Sequence, residues 1–102
     1  MVKHIVLWRL KKELSPLEKQ QAYERIKAGF EALPGRIPGL LKIEIGLDVS
    51  QGPDSSDLIL YSEFESRASV AAYEAHDLHN ALAPLVREVR IERRVADFEV
   101  SS

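Results

Sequence analysis

The sequence predicts an α+β fold in which strands and helices follow one another in the order β, α, β, β, α, β. Three observations support this prediction. Segments rich in β-branched and aromatic residues alternate with segments whose apolar residues recur every three or four positions. Proline and glycine mark the boundaries between these segments. The length of 102 residues, with 45% hydrophobic and 29% charged residues, is typical of one globular domain, so we expect a single domain over residues 1–102.

Residues 2–10 are predicted to form the first strand because β-branched and aromatic residues predominate there. Alternate side chains of a strand point to opposite faces of the sheet. One face would carry His4, Val6, Trp8 and Leu10. The other face would carry Ile5 and Leu7, so the strand is apolar on both sides. An antiparallel sheet in a small domain usually leaves one face to water, and this strand departs from that pattern.

The first helix is predicted to begin at Ser15. This residue can cap the helix, Pro16 suits the first helical position, and Glu18 completes a capping box. A stripe of apolar side chains then follows at intervals of three and four residues, formed by Tyr23, Ile26, Phe30 and Leu33. Pro34 and Gly35 end the helix.

Two more strands are predicted in the middle of the chain. In the second strand, apolar residues alternate with charged ones, at Leu41, Ile43, Ile45, Leu47 and Val49. A polar loop separates it from the third strand, which runs from about Asp57 to Phe64. The third strand is again apolar on both faces, with Leu58, Leu60 and Phe64 on one side and Ile59 and Tyr61 on the other.

The second helical region is predicted to be broken. Ser66 can cap a helix that runs to about Ala75, and Asp77 can cap a further short turn that starts near Leu78. Because Pro84 is disfavoured inside a helix, residues 77–88 should form short helical pieces.

The last strand covers about residues 89–100 and is rich in charge. One face would carry Val89, Ile91, Arg93, Val95 and Asp97. Arg93 and Arg94 would point in opposite directions, and we expect both to pair with glutamates across the strands.

A four-stranded antiparallel sheet with both helical regions on one face is the ferredoxin-like arrangement. The opposite face would then be open, although the first and third strands place apolar residues on it. Such a face is unfavourable in water, so we expect two copies to pack sheet against sheet. The predicted molecule is a homodimer, a dimeric α+β barrel.

Composition narrows the function classes. The formal charge of -2 gives no strong field, so neither nucleic acid nor an anionic membrane is expected as a partner. The absence of cysteine excludes disulfides and thiolate chemistry. No glycine-rich phosphate loop occurs, no apolar run approaches the roughly 20 residues of a spanning helix, and the first residues lack the layout of a signal peptide. We therefore expect a cytoplasmic protein without a cofactor.

The residues that suggest chemistry cluster between positions 71 and 80. This segment contains Tyr73, His76 and His79, and histidine is the side chain that titrates nearest neutrality. On an unbroken helix, Tyr73 and His79 would be about 9 Å apart along the axis and about 120° apart around it, so they would not converge. A break near Asp77 is therefore required if the two side chains act together.

The other histidine, His4, shares a strand face with Val6 and Trp8. It is either a satisfied core residue or a polar group in a pocket with apolar walls, which is how small-molecule sites are built. His76 and His79 are three residues apart and would need a third ligand such as His4 to hold a metal. Two ligands are too few, so no metal site is predicted.

Four segments resemble the Dabb family, the stress-responsive dimeric α+β barrel domains. They are MVKHIVLWRLK at residues 1–11, DLILYSEFES at 57–66, AYEAHDLH at 72–79 and VADF at 95–98. The resemblance covers essentially the whole chain in the same order. It implies a ferredoxin-like dimer with a central barrel, and most members of the family have no established reaction.

The chain also resembles the polyketide cyclase branch of that family, which closes a linear polyketide by aldol condensation without cofactor or metal. The resemblance implies that Tyr73 and His79 are catalytic, that Asp97 orients His79, and that His4 lies in the pocket. Ile26 and Leu58 stand where the cyclase branch has a tyrosine and a further pocket histidine. The residues expected around a ligand are therefore His4, Val6, Trp8, Ile26, Leu58 and His76.

Three functions remain open at this point. The first is a Dabb-type homodimer of unestablished activity that binds a small hydrophobic molecule. The second is cofactor-free cyclase or isomerase-type proton transfer, with His79 as base, Asp97 holding its tautomer and Tyr73 donating to a developing enolate. The third is a purely structural stress-associated dimer, in which a buried pair of His79 and Asp97 fixes the helix to the last strand.

Overall fold

The structure, a computed structural model, describes residues 1–101 and contains a four-stranded antiparallel sheet with helices in the predicted order. Ser102, included in the predicted domain, lies outside the described residues. The elements are β1 (Val2–Leu10), α1 (Pro16–Glu31), β2 (Leu40–Leu47), β3 (Leu58–Phe64), α2 (Arg67–Ala75), α3 (Asp77–Asn80), α4 (Ala83–Arg87) and β4 (Arg90–Glu99). Residues 77–88 are broken into two short helices, as predicted.

The spatial order of the strands is β2, β3, β1, β4, so β1 is a central strand with neighbours on both sides. Its side chains alternate between fully and partly buried positions. The fully buried positions, Val2, His4, Val6, Trp8 and Leu10, define the inner face of the sheet. Ile5 and Leu7 lie on the outer face, which confirms the predicted division of the strand.

Both helical regions pack on the inner face. From α1, the ring of Phe30 lies 6.0 Å from that of Trp8 between centroids. From α2, the ring of Tyr73 lies 6.1 Å from that of His4. Because His4 and Trp8 point to the same side of β1, one layer of helices covers one face of one sheet. The fold is therefore the predicted ferredoxin-like α+β fold.

The start of α1 follows the predicted chemistry. The Glu18 backbone N–H donates to Ser15 Oγ at 3.1 Å, and the Ser15 backbone N–H donates to Glu18 Oε1 at 2.8 Å. This reciprocal capping box satisfies two backbone donors that a helix start would otherwise leave without partners. Ile26 and Phe30 are buried as predicted, whereas Tyr23 is only half-buried.

The alternation predicted for β2 is wrong at its first residue. The register of β2 against β3 shifts between Leu40 and Lys42. This bulge turns Leu40 into the core at 5% exposure and leaves Leu41 at 49% exposure. Ile43 and Ile45 are buried as predicted, but Leu47, the last residue of β2, is 50% exposed.

β4 is an edge strand and is largely exposed, apart from the half-buried Arg90 and Glu92. Arg93, Val95 and Asp97 pair in register with Trp8, Val6 and His4 of β1, so they share the inner face as predicted. The register shifts near Arg90, at the end of this pairing. Within residues 1–101, no helix is long and apolar enough to cross a membrane.

Candidate functional site

The helix break that the site requires occurs at His76. α2 ends at Ala75, and His76 has an extended backbone with φ -73° and ψ 139° before α3 begins. The His76 side chain, rather than the predicted Asp77, caps α3, since its Nδ1 accepts the backbone N–H of Leu78 at 3.1 Å. Asp77 is already the first residue of α3, and the residue that caps a helix is the extended one before it.

The break brings His79 against Tyr73. Their ring centroids are 4.5 Å apart with the planes inclined at 56°. His79 also contacts Phe30 of α1, at 6.3 Å between centroids. Two side chains that an unbroken helix would keep apart are therefore in contact, as the sequence argument required.

His4 comes to the same place from the sheet. Its ring lies 6.1 Å from that of Tyr73 and 5.9 Å from that of Phe64, and the residue is 2% exposed. The backbone of His4 is fixed as well, because Ser62 Oγ donates to its carbonyl oxygen at 2.7 Å. β1, α2 and α3 thus each contribute one of His4, Tyr73 and His79 to a single cluster.

Asp97 contacts His4 and not His79, which corrects the expected pairing. His4 Nδ1 and Asp97 Oδ1 are 2.5 Å apart, and the two residues face each other in the β1–β4 register. The ring of His79 instead has Nδ1 at 3.2 Å from Asn80 Oδ1. The register explains the difference, because Asp97 opposes His4 directly while α3 holds His79 on the far side of Tyr73.

The His4–Asp97 pair fixes the tautomer of the histidine. A carboxylate can only accept, so Nδ1 of His4 carries the proton that it donates to Asp97. In the neutral ring, Nε2 is then an unprotonated acceptor. Nδ1–Asp97 is the only side-chain hydrogen bond of His4 among residues 1–101, so Nε2 is available to a ligand.

Tyr73 is the most buried polar ring in the cluster, at 1% exposure. Burial raises the pKa of its phenol well above the ordinary tyrosine value, and the charge of nearby Glu74 raises it further, while the charge of Arg93 lowers it. The phenol therefore stays protonated at physiological pH. Its raised pKa has no hydrogen bond among its causes, and Tyr73 lines the pocket described below, so the hydroxyl can donate to a bound molecule.

A pocket of about 210 Å³ opens beside this cluster. Its apolar wall is formed by Val6, Trp8, Phe30, Leu60, Ala83 and Val86. Its polar groups belong to His4, Tyr73, His79, Arg87, Arg90 and Arg93. Five of the residues singled out from the sequence, His4, Val6, Trp8, Tyr73 and His79, therefore line one pocket.

Four other residues singled out from the sequence lie outside the pocket lining. Ile26 and Leu58 are core residues at 1% exposure each, and His76 caps α3. Asp97 acts through its contact with His4. Within residues 1–101, no group of three or more histidine, aspartate or glutamate side chains is placed to hold a metal ion.

The sequence interpretation missed the arginines of the pocket. Arg94 pairs with Glu92, with Nε at 2.8 Å from Oε1, but the pair lies within β4 and not across the strands as predicted. For Arg93 the same prediction is wrong, since it forms no ion pair with any of residues 1–101. The strand alternation could have indicated this position of Arg93, because it places Arg93 on the same face as Asp97, which is the face that carries His4.

Comparisons with known proteins agree with this architecture. Residues 2–100 match the family described as the Stress responsive A/B Barrel Domain, Dabb. A dimeric protein of unknown function with a ferredoxin-like fold from Bacteroides fragilis is 35% identical, with a TM-score of 0.89 over 97% of this chain and 95% of that one. No curated protein matches the chain significantly.

Two further solved structures are similar. An Arabidopsis thaliana protein is 29% identical, with a TM-score of 0.80 over 100% of this chain and 97% of that one. A hydroxynitrile lyase from Passiflora edulis shares the fold at 21% identity, with a TM-score of 0.79 over 98% of this chain and 93% of that one. With a family match over nearly its whole length, the chain belongs to the stress-responsive A/B barrel (Dabb) domain family.

Proposed function

We propose that the chain binds a small molecule with an apolar body in the pocket beside His4, Tyr73 and His79. One observation carries the proposal: three polar side chains from separate elements meet on a cavity with an apolar wall. Apolar walls bury the body of a ligand, and a few convergent polar groups fix its orientation. If these three side chains only filled the core, no cavity would remain beside them.

The size of the pocket sets the size of the ligand. A cavity of about 150 Å³ accommodates benzene. The pocket of about 210 Å³ therefore suits one substituted ring or a short branched chain. A long polyketide exceeds this volume, so the proposed ligand is smaller than the substrates of the cyclase branch.

Trp8 provides the measurement, because it is the only tryptophan of the chain and lines the pocket. Benzamide titrated into the protein should change the fluorescence of Trp8 and saturate. Ala83→Leu should abolish this response, since it fills the pocket without removing a polar group. Ala81→Leu, an equal enlargement at an exposed position of the preceding turn, should leave the response unchanged. Equal responses from the two variants would exclude the pocket as the binding site.

We also propose that the chain forms a homodimer through the outer face of the sheet. The β1 register places Ile5 beside Tyr61 and Ala96, and Leu7 beside Ile59, so an apolar strip crosses three strands. Nearby on β4, Phe98 is 47% exposed. A second copy would remove this strip from water, and the Bacteroides fragilis relative is described as dimeric.

Light scattering at micromolar concentration tests the homodimer, which should have twice the mass of the 11.5 kDa chain. Ile5→Glu places two charges in the interface because of the two-fold symmetry, and it should give a monomer with an unchanged circular dichroism spectrum. Leu17→Glu makes the same charge change at a side chain of α1 that is 66% exposed, and it should stay dimeric. A wild-type monomer, or an Ile5→Glu dimer, contradicts this interface.

A specific observation also favours cofactor-free proton transfer as a second function. His4 is held by Asp97 so that Nε2 can take a proton, and the neutral phenol of Tyr73 can donate a hydrogen bond to a developing enolate. In this arrangement the base oriented by a carboxylate is His4. His79, which packs on Tyr73, would position the phenol.

Exchange of the α-hydrogens of acetophenone in deuterated water measures this activity with a defined probe. The wild-type protein should accelerate the exchange, and Tyr73→Phe and His4→Gln should each reduce the acceleration. Asp97→Asn should reduce it as well, because the tautomer of His4 is no longer fixed. No acceleration by the wild-type protein would leave binding as the function of the pocket.

A further inference from the structure

Three arginines at one side of the pocket have no carboxylate partner among residues 1–101. Arg87 ends α4, Arg90 begins β4, and Arg93 lies two residues from Val95 on the inner face. None of them forms an ion pair with any of residues 1–101, whereas the neighbouring Arg94, on the outer face, is held by Glu92. The difference between Arg93 and Arg94 therefore follows from the face of β4 on which each side chain lies.

The charge of the pocket lining is strongly asymmetric. Three arginines, two histidines and one tyrosine line the pocket, and no aspartate or glutamate does. The chain as a whole carries a formal charge of -2, so this concentration of positive charge is local. The charge of Arg93 reaches the interior of the pocket, because it lowers the pKa of the buried Tyr73 against the larger effect of desolvation.

We propose that the ligand is a small carboxylate with one ring or a short branched chain, whose anionic group binds Arg93 with help from Arg90 and Arg87. This inference rests on the proposed binding function and specifies the class of ligand. The guanidinium group offers two parallel N–H donors that match the two oxygens of a carboxylate. The apolar body of the ligand would then lie against Trp8 and Phe30, which contact each other at 6.0 Å between centroids.

Benzoate and benzamide form a matched pair of probes, because they share the ring and nearly the same size but differ in charge. Fluorescence of Trp8 gives the dissociation constant of each. In the wild-type protein, benzoate should bind at least about tenfold more tightly than benzamide, as expected for charge-assisted hydrogen bonds at a partly exposed site.

Substitutions at Arg93 identify the group responsible. Arg93→Gln should weaken benzoate binding about tenfold and weaken benzamide binding much less, because the amide carries no charge. Arg93→Lys keeps the charge but loses the paired donors, so it should restore part of the affinity for benzoate. Arg94→Gln removes the same charge from the outer face and should leave both constants unchanged. The side chain of Arg93 is exposed, so these variants should fold normally.

The outcomes separate this inference from the proposed binding function. Equal wild-type affinities for benzoate and benzamide would overturn the inference and preserve the pocket as a binding site. Equal weakening of both probes by Arg93→Gln would also overturn it, because the arginine would then act by shape and not by charge. Binding of neither probe would overturn both proposals.

Discussion

Replacement of Tyr73 by phenylalanine should change the alkaline stability of the protein. The phenol is buried at 1% exposure, and its pKa is raised by desolvation above the ordinary value of about 10. In the unfolded chain the same phenol is in water and titrates near its ordinary value. The folded state therefore holds a proton that the unfolded chain releases, and this difference makes folding depend on pH.

The sign and size of the effect follow from this difference. Below about pH 10 both states hold the proton, so Tyr73 gives no pH dependence. Above that value only the unfolded chain loses it, and the free energy of unfolding falls by about 1.4 kcal/mol for each pH unit until the folded phenol also titrates. Between about pH 9 and about pH 11 the wild-type protein should therefore lose about 1.4 kcal/mol through this one group.

Urea denaturation followed by circular dichroism at the two pH values measures the loss. Lys27 and Lys42 also have raised pKa values, through hydrogen bonds with Glu31 and Glu44, and they add their own alkaline dependence. Tyr73→Phe retains both lysines, so the difference between the two proteins isolates the phenol. Protomer concentrations must be equal, because association with a second copy adds to apparent stability.

At about pH 9 the variant should be within about 1 kcal/mol of the wild-type protein, since no hydrogen bond is among the causes that shift the pKa of this phenol. At about pH 11 the free energy of unfolding of the variant, relative to that of the wild-type protein, should be about 1.4 kcal/mol higher than at about pH 9. Equal losses in the two proteins would show that the phenol titrates at its ordinary pKa, and the argument from burial would fail.

Two smaller sets of substitutions test the local conformations by urea denaturation. Gly35 and Gly39 both have positive φ, at 87° and 83°, so alanine at either position should cost about 1–2 kcal/mol from the backbone. Gly39→Ala should cost more than Gly35→Ala, because a Cβ at Gly39 would overlap the Ser69 side chain while nothing lies within 4 Å at Gly35. Equal losses would mean that Ser69 moves freely. Ser15→Ala should cost about 1 kcal/mol by removing half of the capping box, and an unchanged stability would show that water replaces the cap.

Much of the fold follows from local chemistry that the sequence displays. The alternation of β1 predicts its two faces because the side-chain period of a strand is fixed at two residues. The bulge at Leu41 could not be predicted in the same way, since it depends on how β2 meets β3. Leu40 and Leu41 are the same residue type, so hydrophobicity alone does not indicate which of them enters the core.

Features of the site that depend on one helix or strand could be predicted from the sequence. Contacts between two elements could not. The need for a break between Tyr73 and His79 follows from helix geometry, and the break at His76 confirms it. Which histidine Asp97 contacts depends on the β1–β4 register, which no short-range pattern specifies. Arg93 was misassigned for the same reason, because its surroundings are supplied by α2, α3 and α4 as well as by its own strand.

The position of β1 in the middle of the sheet means that one short segment serves two surfaces. His4 faces the pocket and its neighbour Ile5 faces the proposed partner subunit. Even-numbered positions of β1 therefore lie on the inner face and odd-numbered positions on the proposed dimer interface. Substitutions at His4, Val6 and Trp8 should change ligand preference and leave the homodimer intact. Substitutions at Ile5 and Leu7 should weaken the homodimer and leave ligand preference intact. Anyone redesigning this protein could therefore alter recognition and self-association separately within a stretch of nine residues.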